Sequence, residues 1–128
     1  MFWLKDKKKT ETFIPQQIHF LCEQNGAPER DLKEALCKYF TDNSFINRAY
    51  LARVKYSQAE SSSVALCINS SLKSEYEKQL AVKELGEIFK RIFNKDAYMD
   101  ILYLREDQEV VLRQVCSPFY PLKSQKTN

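Results

Sequence analysis

The middle of the chain, residues 46–68, contains two β-rich runs separated by a polar segment too short to form a helix. The second run, residues 64–68, is apolar at every position, which is typical of a strand buried on both faces. The first run alternates, so its side chains divide between two faces. One face would carry Tyr50, Ala52, Val54 and Tyr56, and the other Leu51, Arg53 and Lys55. The pattern predicts a β-hairpin whose second strand lies deep in a sheet and whose first strand lies nearer an edge.

An amphipathic helix is predicted on each side of this hairpin, because apolar residues recur there every three or four positions. The first helix starts near Pro28, and its apolar stripe is Leu32, Ala35, Leu36, Tyr39 and Phe40. The second starts after Ser74, which precedes Glu77 by the spacing of a capping box. Its stripe is Leu80, Ala81, Leu85, Ile88, Phe89, Ile92 and Phe93. Gly86 costs this helix about 1 kcal/mol relative to alanine. Either it allows a close approach to the sheet, which we favour, or it is tolerated because so much apolar area is buried around it.

Two further β-like runs lie at residues 17–22 and 98–104. The first is apolar except at His19, which predicts a central strand. The second is interrupted by Asp100, which predicts an edge strand. After it, the acidic segment 106–109 stands where the N-terminus of a helix favours negative charge, so a short terminal helix is predicted.

The predicted order is β-α-β-β-α-β followed by a short C-terminal helix. It matches the α+β, ferredoxin-like arrangement, an antiparallel sheet with two helices on one face. In that arrangement the first and third strands are central. Because both are apolar on their two faces, the second face of the sheet also needs a cover. We expect this cover to be the terminal helix, the Phe119-Tyr120 segment or another subunit.

Length and composition fit a single domain, because 128 residues with 44% apolar residues can fill one core. The expected organisation is a basic N-terminal tail at 1–12, one α+β domain at 13–121 and a polar C-terminal tail at 122–128. The first nine residues carry the whole net charge of +3. No apolar run approaches the roughly 20 residues of a membrane span, and no signal peptide is recognised, so we expect a cytoplasmic protein.

Residues with catalytic or metal-binding potential are few. Cys22, Cys37, Cys67 and Cys116 lack the spacing of a zinc module, so we expect reduced thiols, most of them packed in the core. His19, in the predicted central strand, is expected to be a packed core residue. Phosphate-binding glycine motifs are absent from the sequence. We therefore expect no enzymatic activity, no cofactor and no metal, while an enzyme that uses His19 or a cysteine thiolate stays an open alternative.

Function is therefore expected to reside in the surface, as in a protein-interaction module. The partner would be another protein or a second copy of the chain, bound through the open sheet face or an edge strand. Binding of RNA or single-stranded nucleic acid through the basic N-terminus and the second strand is the alternative. The candidate interaction residues are Tyr50, Arg53, Lys55, Tyr56, Phe119 and Tyr120.

An ordered set of motifs resembles one family, the C-terminal domain of the enhanced serine sensitivity protein, SseB. A strand, a turn and a Leu-rich helix span residues 18–36, an Ala-Tyr-Leu strand begins at Ala49, and a Pro-Phe-Tyr motif begins at Pro118. The resemblance covers residues 16 to 120. It implies a bacterial accessory or interaction module, and it implies no reaction, cofactor or ligand.

Overall fold

The computed structural model describes residues 18–57, 59–93 and 99–121. The elements are β1 (Ile18–Glu23), α1 (Ala27–Asp42), β2 (Ile46–Tyr56), β3 (Ser63–Ser70), α2 (Glu75–Ile92), β4 (Asp100–Tyr103) and α3 (Glu106–Leu112). Their order confirms the predicted succession of strands and helices. The predicted tails, 1–12 and 122–128, lie outside the described residues.

The four strands form one mixed sheet in the order β1-β2-β3-β4. Antiparallel pairing joins β1 to β2 and β2 to β3, whereas β3 and β4 are parallel. The α+β class and the hairpin are confirmed, but the prediction of a ferredoxin-like, fully antiparallel sheet is wrong. In the ferredoxin-like order the third strand pairs with the first. Here α2 leads the chain back to the edge of β3 that does not pair with β2. β4 therefore takes the place beside β3 that the ferredoxin-like order gives to the first strand.

The prediction that β1 is central is also wrong, because β1 forms an edge of the sheet. All of its residues are exposed or half-buried, and His19 is exposed rather than packed in the core. The second central strand is β2, in which residues 49–52 are at most 1% exposed. This run of four apolar residues is the usual mark of a strand buried on both faces. The polar residues further along β2 had suggested an edge position instead.

One face of the sheet is covered by both long helices, as predicted. Their apolar stripes pack together on the β2–β3 hairpin. The buried residues of this first core are Leu32, Leu36, Phe40, Ile46, Ala49, Leu51, Leu66, Ile68, Leu85, Ile88 and Phe89. The helices face water on their other sides, where α2 carries exposed residues such as Tyr76 and Val82.

The opposite face of the sheet carries a second core, to which α3 contributes. Leu112 of α3 and Cys116 just beyond it are buried against the sheet. The strand residues of this core are Tyr50, Ala52, Val54, Ala65 and Cys67, all with no exposed surface. The terminal helix is therefore one cover of the second face, as the sequence predicts, while the Phe119-Tyr120 segment lies elsewhere.

That C-terminal segment continues the sheet edge where β1 ends. The N–H of Ala49 donates to the carbonyl of Tyr120 at 3.1 Å, and the N–H of Phe119 donates to the carbonyl of Ala49 at 2.9 Å. Both aromatic rings pack near Phe40 of the first core, with centroid separations of 6.3 and 5.2 Å. The end of the domain is thus held by β2 and α1.

The two long helices begin in different ways. Ser74 caps α2 by accepting a hydrogen bond from the N–H of Glu77 at 3.1 Å, so this part of the capping-box prediction is confirmed. At α1 the cap is Gly26, where an added Cβ would lie 2.5 Å from Oε1 of Glu29. At Gly86 an added Cβ would have no neighbour within 4 Å among the described residues, so the predicted close approach is wrong.

Within the described ranges, no helix has the combination of length and apolar character that crossing a lipid bilayer requires.

Candidate functional site

The most extensively bonded carboxylate of the described chain is Glu109, which α3 directs onto the second face of the sheet. Nε of Arg48 donates to its Oε2 at 2.6 Å and Nη2 of Arg48 donates to its Oε1 at 3.1 Å, so the pair is bidentate. Nδ2 of Asn69 donates to Oε1 at 2.8 Å, and the hydroxyl of Tyr50 donates to Oε2. Only 5% of Glu109 is exposed.

The sheet presents these three donors together because of strand alternation and register. Arg48 and Tyr50 are two positions apart on β2 and therefore share a face. Asn69 of β3 is the registered partner of Arg48 across the hairpin. A further hydrogen bond, from Nδ2 of Asn47 to Oδ1 of Asn69 at 2.9 Å, orients the Asn69 amide.

This arrangement stabilises the charged form of Glu109. The hydrogen bonds from Arg48, supported by those from Tyr50 and Asn69, lower the pKa of Glu109 to about 2, against the effect of burial. Burial and then the hydrogen bond to Glu109 raise the pKa of Tyr50 to about 12. A carboxylate held ionised by four hydrogen bonds is a poor general base, so the cluster is suited to anchoring α3.

A second polar group lines a cleft on the other face, between the start of α1 and the end of α2. Nε of Arg53 donates to Oε1 of Gln24 at 3.1 Å, and Nη1 of Arg53 donates to Oγ of Ser62 at 2.9 Å. Nε2 of Gln24 in turn donates to Oε2 of Glu29 at 3.1 Å. The cleft has a volume of about 330 Å³. Its remaining lining is mostly apolar and consists of Leu32, Leu51, Ser63, Val64, Phe89 and Phe93.

A third feature is apolar and lies on the outer side of α3. Val110 and Val111 are 62% and 50% exposed, and Val115 just beyond the helix is 40% exposed. Glu106 and Asp107 of the first turn lie near Val110, together with Arg113. We call Val110, Val111 and Val115 the valine patch.

Comparison with known proteins identifies the family. The sequence model of the SseB protein C-terminal domain matches residues 17–121, which is most of the chain. The chain belongs to the SseB C-terminal domain family. No curated protein and no solved structure gives a significant match. The family assignment confirms the resemblance that the sequence motifs indicated, and it brings no reaction or ligand with it.

The Ala-Tyr-Leu and Pro-Phe-Tyr motifs, two of those by which the sequence resembles the SseB family, lie against each other in the structure. Ala49, which opens the Ala-Tyr-Leu motif, forms the backbone hydrogen bonds with Phe119 and Tyr120 of the Pro-Phe-Tyr motif. Tyr50 of the first motif is the hydroxyl donor to Glu109. In this domain the motif residues therefore join the C-terminal segment and α3 to the central strand.

The six candidate interaction residues are divided between the two faces of the sheet. Tyr50 is fully buried, and Tyr56 is half-buried on the same side, with its hydroxyl donating to Oδ2 of Asp100 at 2.8 Å. Arg53 lies on the opposite side, at the cleft, and Lys55 shares its strand face. Phe119 and Tyr120 are half-buried against the first core. Among these six candidates, the two tyrosines and the two basic residues of β2 thus lie on opposite faces of the strand.

The four thiols of the domain are unpaired and differ in environment. Cys67 and Cys116 are buried, Cys37 is half-buried and Cys22 is exposed on β1. Burial raises the pKa of Cys116 to about 12 and also raises that of Cys37. Among the described residues, no three histidine, cysteine or acidic side chains lie close enough to bind a metal ion together.

Glu109 is the residue that sequence reasoning missed, since it stands in an acidic run that also suits the first turn of a helix. One signal was available. Glu109 lies three positions before Leu112, so both share the inward face of a helix. A charge on such a face requires buried partners, and Arg48 and Asn69 on the hairpin provide them.

Proposed function

We propose that this SseB C-terminal domain is a non-catalytic protein-interaction module that binds its partner through the valine patch. The observation that carries the proposal is the exposure of two adjacent valines, Val110 and Val111, on a helix of only seven residues. Exposed apolar side chains that are contiguous and rimmed by polar groups are characteristic of protein interfaces.

The proposal is supported by the way the buried polar groups are used. Glu109, directly beneath the patch, is committed to hydrogen bonds with the sheet, so α3 is held in place before any partner arrives. A rigid helix presents a contact surface at a lower entropic cost than a mobile one. The rim has mixed charge, because Arg113 lies near Glu106 and Arg105 pairs with Asp107, so it favours a partner whose apolar contact is flanked by polar groups of both signs.

The test compares the full wild-type chain with the double variant Val110→Lys/Val111→Lys. We expect wild type to show a mass that rises with concentration in size-exclusion chromatography with light scattering, or to retain a protein from a lysate of its native cell. The double variant should lose either behaviour. Because both valines are exposed, its thermal unfolding midpoint should stay near that of wild type.

Val82→Lys is the matched control, since Val82 is an exposed valine of α2 on the other side of the domain (38% exposed). It should behave as wild type does. Equal masses and equal retained proteins for wild type and the double variant would contradict the proposal. If the double variant and the control both lose the interaction, the loss is not specific to α3 and the interface does not lie on the valine patch.

A further inference from the structure

The cleft between α1 and α2 has the properties of a small-molecule site that is separate from the valine patch. Its volume of about 330 Å³ lies within the roughly 300–1,000 Å³ range of ligand pockets. The floor is apolar, with Leu32 and Leu51 almost fully buried and Phe89 and Phe93 at the end of α2. Pockets of this kind use a few convergent polar groups to orient a ligand.

Arg53 is the polar group best placed for this purpose. Gln24 accepts from its Nε and Ser62 accepts from its Nη1, which fixes the guanidinium plane. Among the described residues no acceptor is bonded to Nη2, and no carboxylate forms a salt bridge with Arg53. An oriented guanidinium with remaining donors matches the geometry of a carboxylate.

Glu29 also lines the cleft, but its charge is directed away from Arg53. One of its oxygens lies over Gly26 at the start of α1, and the other accepts from the amide of Gln24. The Gln24 side chain therefore stands between the acid and the guanidinium. A ligand carboxylate at Arg53 meets the hydroxyl of Ser62 as its next polar neighbour.

We propose that this cleft binds a small carboxylate with an aromatic or branched aliphatic body, with the carboxylate on Arg53 and the body on the floor formed by Leu32, Phe89 and Phe93. The proposal does not depend on the valine patch, which lies on α3 at the opposite face of the sheet.

The test is a titration of the ¹⁵N-labelled full chain with 3-phenylpropanoate, followed by amide chemical shifts. At about −0.3 kcal/mol per non-hydrogen atom, the roughly 11 such atoms of 3-phenylpropanoate give about −3.3 kcal/mol, which corresponds to a Kd of about 4 mM. We expect the shifts to concentrate on the lining residues Leu32, Val64 and Phe93. The uncharged 3-phenylpropanamide should bind about tenfold more weakly, because it cannot form the charge-assisted bonds to Arg53.

Arg53→Gln should weaken binding of 3-phenylpropanoate by about tenfold or more, and Arg53→Lys by less. Lys55→Gln is the matched control, since Lys55 is the next residue on the same strand face and does not line the cleft. It should bind as wild type does.

If Arg53→Gln does not fold, Val64→Phe, which fills the apolar side and leaves Arg53 intact, should abolish binding. The proposal is overturned if the lining residues show no shifts up to about 10 mM ligand, if the amide binds equally well, or if the folded variants keep wild-type affinity.

Discussion

Glu109 shows how one side chain can connect three elements of the domain. Its carboxylate lies on α3, while its donors belong to the two central strands. A buried carboxylate is costly unless it is paired and hydrogen-bonded, and here all three partners are present. An amide in its place carries no charge and turns one of the two acceptor oxygens into a donor that faces other donors, so the loss exceeds that of an ordinary surface pair.

We expect Glu109→Gln to lower the free energy of unfolding by about 2 kcal/mol at pH 7, below the usual figure for a fully buried pair because Arg48 is partly exposed. Urea unfolding of the full chain measures this loss. Asp107→Asn, which removes an exposed partner of Arg105 on the same helix, is the control and should leave the unfolding curve unchanged. Equal losses in the two variants would contradict the anchoring role of Glu109.

The same residue gives the stability a defined pH dependence. The pKa of Glu109 is lowered from 4.5 to about 2 in the folded chain, so the unfolded chain binds the extra proton between these values. Its contribution is therefore complete above about pH 5 and is lost as the pH falls from there toward 2. Glu109→Gln should accordingly lose less stability than wild type over that acid range, and parallel curves for the two proteins would contradict the assignment.

At the scale of the single element, the glycines of α2 and α1 differ in the space that surrounds them. Gly86 lies within α2, where nothing in the described structure approaches the position of a Cβ. The glycine therefore weakens the helix without serving its packing. Gly26 begins α1, where the carboxylate of Glu29 occupies the space that a Cβ would need.

We expect Gly86→Ala to raise the free energy of unfolding by about 0.5–1 kcal/mol, because alanine restricts the unfolded chain and favours the helix. Gly26→Ala is the matched comparison and should be mildly destabilising, since alanine is a poorer N-cap residue than glycine and its Cβ displaces the Glu29 carboxylate. Chemical unfolding of the two variants measures both effects. A loss of stability in Gly86→Ala would show that the helix needs the space at that position.

At the scale of the whole molecule, the C-terminal segment and β1 share one edge of β2. β1 pairs with the end of β2 near Tyr56, and Phe119 and Tyr120 pair with Ala49 near its start. The first strand and the last residues of the domain thus meet on the same central strand. Such distant contacts contribute stability only when the complete fold is formed.

We expect Phe119→Ala to cost about 2 kcal/mol, less than for a fully buried phenylalanine because the ring is only half-buried beside Phe40. The transition should stay single and cooperative when followed by both circular dichroism and fluorescence. Val115→Ala, at an exposed position just beyond α3, is the control and should change stability by less than about 0.5 kcal/mol. Equal effects of the two substitutions would contradict a structural role for the Pro-Phe-Tyr motif.

Sequence periodicity was sufficient for the existence of the elements and for the buried faces of α1 and β2. The stripe from Leu32 to Phe40 predicted α1, and the alternation along β2 correctly separated Tyr50 and Val54 from Leu51. Both follow from local geometry, because the backbone alone sets which side chains share a face. The α+β class and the SseB family could be inferred from that pattern and from the ordered motifs.

Strand order and the partners of Glu109 were decided only by the tertiary structure. Strands pair through backbone N–H and carbonyl groups that are common to every residue, so an apolar run such as residues 18–22 does not specify its neighbours. The strand became an edge because the crossover through α2 placed β4 on the free side of β3. Glu109 likewise acquired its role from Arg48 and Asn69, which lie 61 and 40 positions away in the chain and reach it only in the folded domain.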